Sequence, residues 1–404
     1  MLLDLGRPVI GMVVLQPTGF CNINCSYCYL PDRTSKHVMA QSTVKRLFEE
    51  VFASGWTLPG ITVLWHAGEP LAAPRRFYEE AFATIEALRP PSIEVQHSVQ
   101  TNGTLIDPDW CKLFLDWKVG VGVSIDGPQP LHDRHRRMRN GKGSYDATMA
   151  GIRCLQDNGV AFHALSVLSR ESLEMPDELL AFYIDAGIDH VCFNVEESEG
   201  TYVSDLFRSA ELRDRYASFL RRFWHRARAS GKIKFVREID NALPKVFRPE
   251  GIVFPNNQTE PLAMLNVDSY GNVSSFSPEL LGMKDERYGD FLLGNIMRDS
   301  LADIYRTCLA SALNRDIQVG VEACAATCDY FSVCSGGSPV NKLFENGAFT
   351  GTTTSFCTLI NQVPIDLILE AYDSLERTWT APSPATLAPS QATAAAAAPP
   401  PRTP

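Results

Sequence analysis

Over the first half of the chain, short apolar runs of β-type residues alternate with stretches whose apolar positions recur at helical spacing. Met12–Gln16, Ile61–His66, Ile93–Val99, Val119–Ile125, Ala161–Leu168 and His190–Val195 read as strands. Between them, Ser42–Ala53, Arg76–Ala87, Pro108–Trp117, Tyr145–Asn158 and Pro176–Ala186 read as helices. Ser42 and Asp107 are expected N-caps, because a side-chain oxygen there can accept from the first free helical N–H groups. Asn158-Gly159 and Gly187 are expected C-terminal stops. Strands apolar along nearly their whole length are buried on both faces, and six strand–helix alternations of that kind predict parallel β structure. The pattern alone admits either a doubly wound sheet or a barrel.

The second half reads differently. A long helix is expected from about Ser209 to Ser230, and a last one from about Val363 to Arg377. From about Pro261 to Leu359 the chain carries five cysteines and many Gly, Ser and Thr residues, with few long periodic segments. Such a region is expected to need a metal for stability. From Ala381 the Ala/Pro-rich tail has no apolar face to bury and is expected to be disordered.

The chain has 404 residues, of which 45% are hydrophobic, enough for a large core and more than one domain. No apolar run reaches the length of a membrane span, and no charged-then-apolar segment opens the chain, so a cytoplasmic protein with no membrane partner is expected. The net charge of −10 without a long basic run speaks against a nucleic-acid partner. Eleven cysteines in a reducing compartment point to metal or redox chemistry rather than disulfides.

Three of these cysteines, Cys21-x3-Cys25-x2-Cys28, follow the first strand. Zinc would want a fourth ligand, and only the more distant His37 is at hand. A [4Fe-4S] cluster held by three thiolates leaves one iron open for a small molecule. This spacing, with the aromatic Tyr27 before the last cysteine, resembles the radical S-adenosylmethionine (SAM) superfamily. The resemblance implies that SAM chelates the open iron through its amino and carboxylate groups. It also implies an α/β fold, a partial (β/α)6 TIM-type barrel, with chemistry at the C-terminal ends of the strands.

The same resemblance gives roles to residues at successive strand ends. Ala67-Gly68-Glu69-Pro70 matches the segment that lines the SAM amine with carbonyls and a carboxylate, although the superfamily more often has two glycines there. Gln100 and Asn102 place amides at the same rim, and Ser124 and Asp126 supply a hydroxyl and a carboxylate suited to a ribose. Arg136, after His132-Asp133, matches an arginine near the SAM carboxylate, and Leu168 would pack by the adenine. His66 stands beside this rim without an assigned role. Cys111, Cys154, Cys192 and Cys308 lack neighbours at ligand spacing and read as small buried hydrophobes.

Cys324-x3-Cys328-x5-Cys334, with Cys357, resembles the SPASM extension of radical SAM peptide maturases. Four thiolates can complete a closed cluster or a zinc site. That extension usually carries two auxiliary clusters. Here Ser338 stands where a core cysteine belongs, and Phe276 and Leu292 stand near other ligand positions. One auxiliary [4Fe-4S] cluster is therefore expected, with zinc as the alternative. The implied organisation is a radical SAM barrel over 1–208, a helical bridge over 209–260, an auxiliary-cluster domain over 261–360, a C-terminal helix over 361–380 and a tail over 381–404.

SPASM architecture implies a ribosomally made precursor peptide as substrate and a one-electron donor such as flavodoxin or ferredoxin. Ser274–Gly282, Asp329–Gly337 and Pro339-Val340-Asn341-Lys342 resemble the cyclophane-forming maturases of the glycine-rich-repeat (GRRM) peptide system. For that system the 5'-deoxyadenosyl radical takes a β-hydrogen, and the β-carbon is joined to an aromatic ring. Glu196, Glu197 and Glu279 are candidate bases. The alternatives are a formylglycine-forming sulfatase maturase, in which Ser277 would stand where an aspartate is needed, and a non-catalytic iron–sulfur or zinc protein that binds a peptide.

Overall fold

The computed structural model describes residues 8–198, 200, 202–206, 211–247 and 252–372. Six strands, β1 (Ile10–Leu15), β2 (Thr57–Trp65), β3 (Glu94–Thr101), β4 (Gly120–Ser124), β5 (Phe162–Leu168) and β6 (His190–Val195), pair in parallel and in chain order. The intervening helices are α1 (Gln41–Ala53), α2 (Arg75–Leu88), α3 (Pro108–Asp116), α4 (Gln129–His135), α5 (Tyr145–Asp157) and α6 (Pro176–Asp185). A doubly wound sheet reverses its strand order at a switch point. This order never reverses, so right-handed crossovers lay every helix on the same side and the winding is that of a barrel.

Alternation along the strands sorts their two faces. Val13, Leu15, Val63, Trp65, Val99, Val121 and Val123 are buried on the helix side. Trp65 meets Phe77, Tyr78 and Phe82 of α2 edge-on at 5.2–5.8 Å between ring centroids. The inner face is polar beyond expectation: Gln96, Ser98, Gln100, Ser124 and His163 share it. The inner residues need not be apolar because they line a site rather than a packed core.

Helix and strand centres follow the sequence pattern, and the departures are local. Thr57–Gly60 joins β2 despite Pro59, since Pro59 needs no ladder bond at the irregular register between Ile10 and Met12. Asp107 caps α3 by accepting from the Trp110 N–H, as expected. Ser42 does not cap α1: Ala40 occupies that position with no side-chain acceptor, and Ser42 lies inside the helix. Asn158 ends α5, and Gly159 and Gly187 take positive φ, as stops do.

The C-terminal half contributes to the same sheet. α7 (Leu212–Ser230) leads to β7 (Phe235–Val236), which pairs with β6. β8 (Met264–Val267) pairs in parallel with β1, and β9 (Asn272–Ser275) and β10 (Gly294–Asn295) follow antiparallel. Two helices that the sequence reading missed, Leu301–Ala310 and Ala312–Thr327, occupy the region judged poor in periodic segments. Their signal was the spacing of Leu313, Ile317, Gly320 and Cys324, which are all buried, but two of the four are small residues that mimic loop composition. A helix over Val363–Glu370 closes the described chain, and the expected continuation to Arg377 and the tail from Ala381 lie outside the described residues.

One glycine couples this packing to the strand-end rim. A Cβ on Gly151 of α5 would stand 2.0 Å from the Gly103 carbonyl oxygen. Gly151→Ala is expected to cost roughly 1–3 kcal/mol by overpacking, read as a lower melting temperature. An unchanged melting temperature would show that the 102–104 loop yields freely.

Candidate active site and its cysteine sets

The loop after β1 presents Cys21, Cys25 and Cys28 close enough to feel one another's charge. Its backbone is held from outside. Cys21, Asn24 and Ser26 donate N–H bonds to the carbonyls of Arg33, Arg137 and His135. The Arg139 guanidinium donates to the Cys21 carbonyl at 2.7 Å, and Arg33 donates to the Cys25 carbonyl at 3.1 Å. Burial pushes the Cys21 thiol up to about 12 and that of Cys25 up to about 11. Buried thiols of this kind ionise when a metal takes the place of the proton. N–H donors already approach the sulfurs, with Asn102 Nδ2 at 3.9 Å from Cys21 Sγ and Arg136 Nη1 at 4.0 Å from Cys25 Sγ.

After β2, the chain turns through Ala67 and Gly68, both at φ +68°. Gly68 is required sterically, because a Cβ there would lie 2.5 Å from the Thr18 carbonyl oxygen in the cysteine loop. Ala67 holds the same left-handed conformation with a Cβ, a strained state. Glu69 is buried and accepts from the Thr101 hydroxyl at 2.6 Å, the Asn102 N–H at 2.8 Å and the Leu71 N–H at 2.9 Å. Burial holds its pKa above the usual carboxylate range in spite of these donors. A carboxylate has about four acceptor positions, so one remains for a cation, whose arrival would offset the desolvation. Tyr78 of α2 fixes the turn by donating to the Pro70 carbonyl at 2.7 Å.

Asn102 joins this rim to the cysteine loop. Its Nδ2 donates to Asn22 Oδ1 at 2.8 Å, while its own Oδ1 accepts from Thr104. Gln100 donates to the Ser124 hydroxyl at 3.0 Å. Gly122 leaves room for that contact, because a Cβ there would meet the Gln100 and His163 side chains.

Asp126 is wholly engaged by the protein. Tyr27 and Arg136 donate to Oδ2, the latter at 3.0 Å, and the Val167 N–H donates to Oδ1 at 3.0 Å. Burial alone would raise its pKa, but the Arg136 guanidinium, His132 and these hydrogen bonds together hold it below the usual range. The carboxylate thus fastens the cysteine loop, through Tyr27, to the end of β4 and to Arg136. Leu168 is fully buried on the strand face that also carries Ser166, beside Tyr183 of α6. His66 sits 3.4 Å from the Tyr29 hydroxyl, and burial lowers its pKa to about 4.

Of the three candidate bases, Glu196 accepts from Tyr202 at 2.5 Å and Ser204 at 3.1 Å, and Glu197 accepts from Asn341 at 2.5 Å. Glu279 accepts from the Ser277 hydroxyl, and burial holds its pKa above the usual range. Its turn packs against the chain just past Cys28, where a Cβ on Gly282 would lie 3.4 Å from Pro31. Sequence reasoning missed Asn22, Thr101, Arg33 and Arg139. Each sits within a few residues of a flagged motif, but nothing in local spacing shows which neighbours turn inward.

Cys324, Cys328, Cys334 and Cys357 also converge, each within reach of the others' charge. Cys324 and Cys328 end one helix, and Cys357 lies in the turn Ser355–Cys357. After Cys334, Ser335, Gly336 and Gly337 all take positive φ, a sharp reversal. Ser338 accepts from the Asn341 N–H as cap of the helix Pro339–Asn346, so the hydroxyl does helix work where the SPASM pattern has a ligand. Cys111, Cys192 and Cys308 are buried as expected, whereas Cys154 is only half-buried, and the sulfurs of Cys111 and Cys154 lie 3.6 Å apart. Those two sit on neighbouring helices, α3 and α5, a proximity that sequence spacing cannot show.

Two substitutions test this geometry. Asp126→Ala leaves Arg136 buried without its partner and is expected to cost about 3–5 kcal/mol, seen as a large fall in melting temperature; a small fall would mean that Arg136 finds another acceptor. Ala67→Gly removes left-handed strain and is expected to stabilise by about 0.5–1 kcal/mol, so a lower melting temperature would contradict the strain.

Residues 15–183 match the Radical SAM superfamily model. Over 367 residues the chain is 40% identical to an uncharacterised protein of Synechocystis sp., covering 90% of this chain and 92% of that one. It is 25% identical to the serine-type anaerobic sulfatase-maturating enzyme of Bacteroides thetaiotaomicron, covering 82% of this chain and 83% of that one. The solved structure of native anSMEcpe with bound AdoMet and Kp18Cys peptide shares the fold, with a TM-score of 0.71 at 20% identity over 92% of this chain and 99% of that one. Three converging thiols beside a buried carboxylate with one acceptor position to spare, on a barrel of this winding, agree with these matches: the chain belongs to the radical SAM superfamily and is an enzyme that takes a [4Fe-4S] cluster and SAM as its cofactors.

Proposed function

We propose that this enzyme matures a ribosomally made precursor peptide by joining an aromatic ring carbon to a β-carbon of the same peptide. Hydrogen abstraction from an unactivated carbon is chemistry that the cluster and SAM supply. Cys21, Cys25 and Cys28 would hold that cluster. Glu69, with the adjoining backbone carbonyls, would receive the SAM amine, Ser124 and Gln100 would face the ribose, and Arg136 would face the carboxylate. Cys324, Cys328, Cys334 and Cys357 would hold one auxiliary [4Fe-4S] cluster. Arg33, Lys36, Arg137 and Arg139 surround the exposed side of the cysteine loop, where an acidic flavodoxin or ferredoxin would approach.

The observation that carries the crosslink reading lies at the end of β9. Phe276, at a position where the SPASM pattern has a ligand cysteine, is fully buried at φ +72°, and Ser277 stands in place of the aspartate of an aldehyde-forming enzyme. A packed ring there leaves no seat for a further cluster. After the β-carbon attacks the ring, the adduct would lose one electron to the auxiliary cluster and one proton to a base. Glu279 is the favoured base, because a raised pKa suits proton acceptance.

Formylglycine formation is the second reading, favoured by the similarity to the sulfatase-maturating enzyme. Tandem mass spectrometry of the peptide encoded beside the gene, after co-expression, separates the two. Each loses two hydrogens when the aldehyde forms from serine, but a crosslink suppresses backbone fragments between the joined residues, whereas an aldehyde fragments normally and takes up a hydrazide. Two further outcomes are expected. Reconstituted protein should hold about eight irons per chain, and Glu69→Gln should keep that iron but cleave no SAM; twelve irons, or SAM cleavage at the wild-type rate, would overturn these assignments. Glu279→Gln should retain SAM cleavage and lose crosslinked product, and normal product formation would remove Glu279 from the mechanism.

A further inference from the structure

Lys342 is 2% exposed, on the helix Pro339–Asn346 behind the second cysteine set. Its ammonium donates to the Gly320 carbonyl at 3.0 Å and to Cys324 Sγ at 3.3 Å, and among the described residues no carboxylate pairs with it. Lysine is almost never fully buried without a partner, because desolvating an ammonium is costly. The surrounding chain nevertheless keeps space for it. Gly320 has no side chain, and a Cβ there would lie 3.2 Å from Nζ and 2.1 Å from the Phe349 carbonyl oxygen. A backbone carbonyl and a neutral thiol are weak compensation for a buried positive charge. An anion at the sulfurs would be strong compensation.

We propose that Lys342 is the positioning residue that sets the reduction potential of the auxiliary cluster. The inference rests on the reading of Cys324, Cys328, Cys334 and Cys357 as a cluster site. A [4Fe-4S] cluster with four thiolates is doubly negative when oxidised and triply negative when reduced. A fixed cation therefore stabilises the reduced form more, and a hydrogen bond to a ligand sulfur acts in the same direction. Both effects make the cluster a better electron acceptor, which is what the crosslinking reaction asks of it: one electron leaves the peptide adduct and enters the oxidised cluster. Lys245 also lies near this set, within reach of the Cys334 charge, but it is half-buried where Lys342 is sealed.

The test is an anaerobic redox titration followed by electron paramagnetic resonance on the full reconstituted chain. The signal that added SAM leaves unchanged reports the auxiliary cluster. Lys342→Met should keep about eight irons and lower the cluster's reduction constant at least tenfold, which is 59 mV for a one-electron couple. Lys342→Gln, which keeps a donor but no charge, should fall between it and the wild type, and Lys342→Arg should stay near the wild type. A full iron complement with an unmoved potential in Lys342→Met and Lys342→Gln would overturn the inference alone. Zinc, or only four irons, in the wild type would overturn the cluster reading and the inference with it. Loss of the second cluster from all three variants would make the ammonium a requirement for assembly and would likewise overturn its role in the potential.

Discussion

Three thiols on one loop do not hold themselves in register for one cluster, and the rest of the site follows from how that loop is restrained. Two carboxylates share in this with Arg33, His135, Arg137 and Arg139. Asp126 ties Tyr27 and Arg136 to the ends of β4 and β5, and Glu69 ties the turn after β2 to the end of β3. Both are buried; Glu69 takes its donors from the barrel, and Asp126 takes one from the loop, Tyr27, and the others from the barrel. The loop's conformation is thus imposed by strand ends far away in sequence. Its own residues supply the sulfurs and, in Tyr27 and Arg33, two of the points by which it is held.

This division explains what could be read from the sequence. The strands were legible because Val13, Leu15, Val63 and Trp65 must be apolar to meet α1 and α2, and periodicity reports that demand directly. The cysteines and the Gly68-Glu69 turn were legible because their chemistry needs those residue types at those spacings. What Asp126 touches was not legible. The sequence reading offered it to a ribose, while the structure surrounds it with Tyr27, Arg136 and a backbone N–H, partners separated from it by 10 to 99 positions in the chain. The same limit hid the meeting of Cys111 with Cys154 and that of Lys342 with Cys324. The helices over Leu301–Thr327 were missed for another reason: their buried stripe uses Gly320 and Cys324, which give periodicity without hydrophobic weight.

The two cysteine sets are built on opposite principles. The first lies in a long loop with Asn24 and Ser26 exposed, under a basic surface. The second is gathered from a helix end, a left-handed reversal and a short turn, with a lysine sealed behind it. A set of three thiols, which leaves one coordination position unfilled, suits exchange with small molecules. A set of four with a buried ammonium beside it suits storage of a single electron.

β8 pairs with β1 along four residues, so the segment that leads to the second cysteine set is part of the barrel sheet. That pairing has a consequence for how the chain can be divided. A strand as apolar as β1, if left at a sheet edge, is a template for pairing with other chains. The C-terminal half covers this edge and then ends the sheet on β10, two residues long, while the far side ends on β7, also two residues long. Such short terminal strands leave little for another molecule to extend. The auxiliary region therefore acts as a seam against aggregation as well as a place for cysteines, and loss of all its thiolates would still leave the barrel needing it.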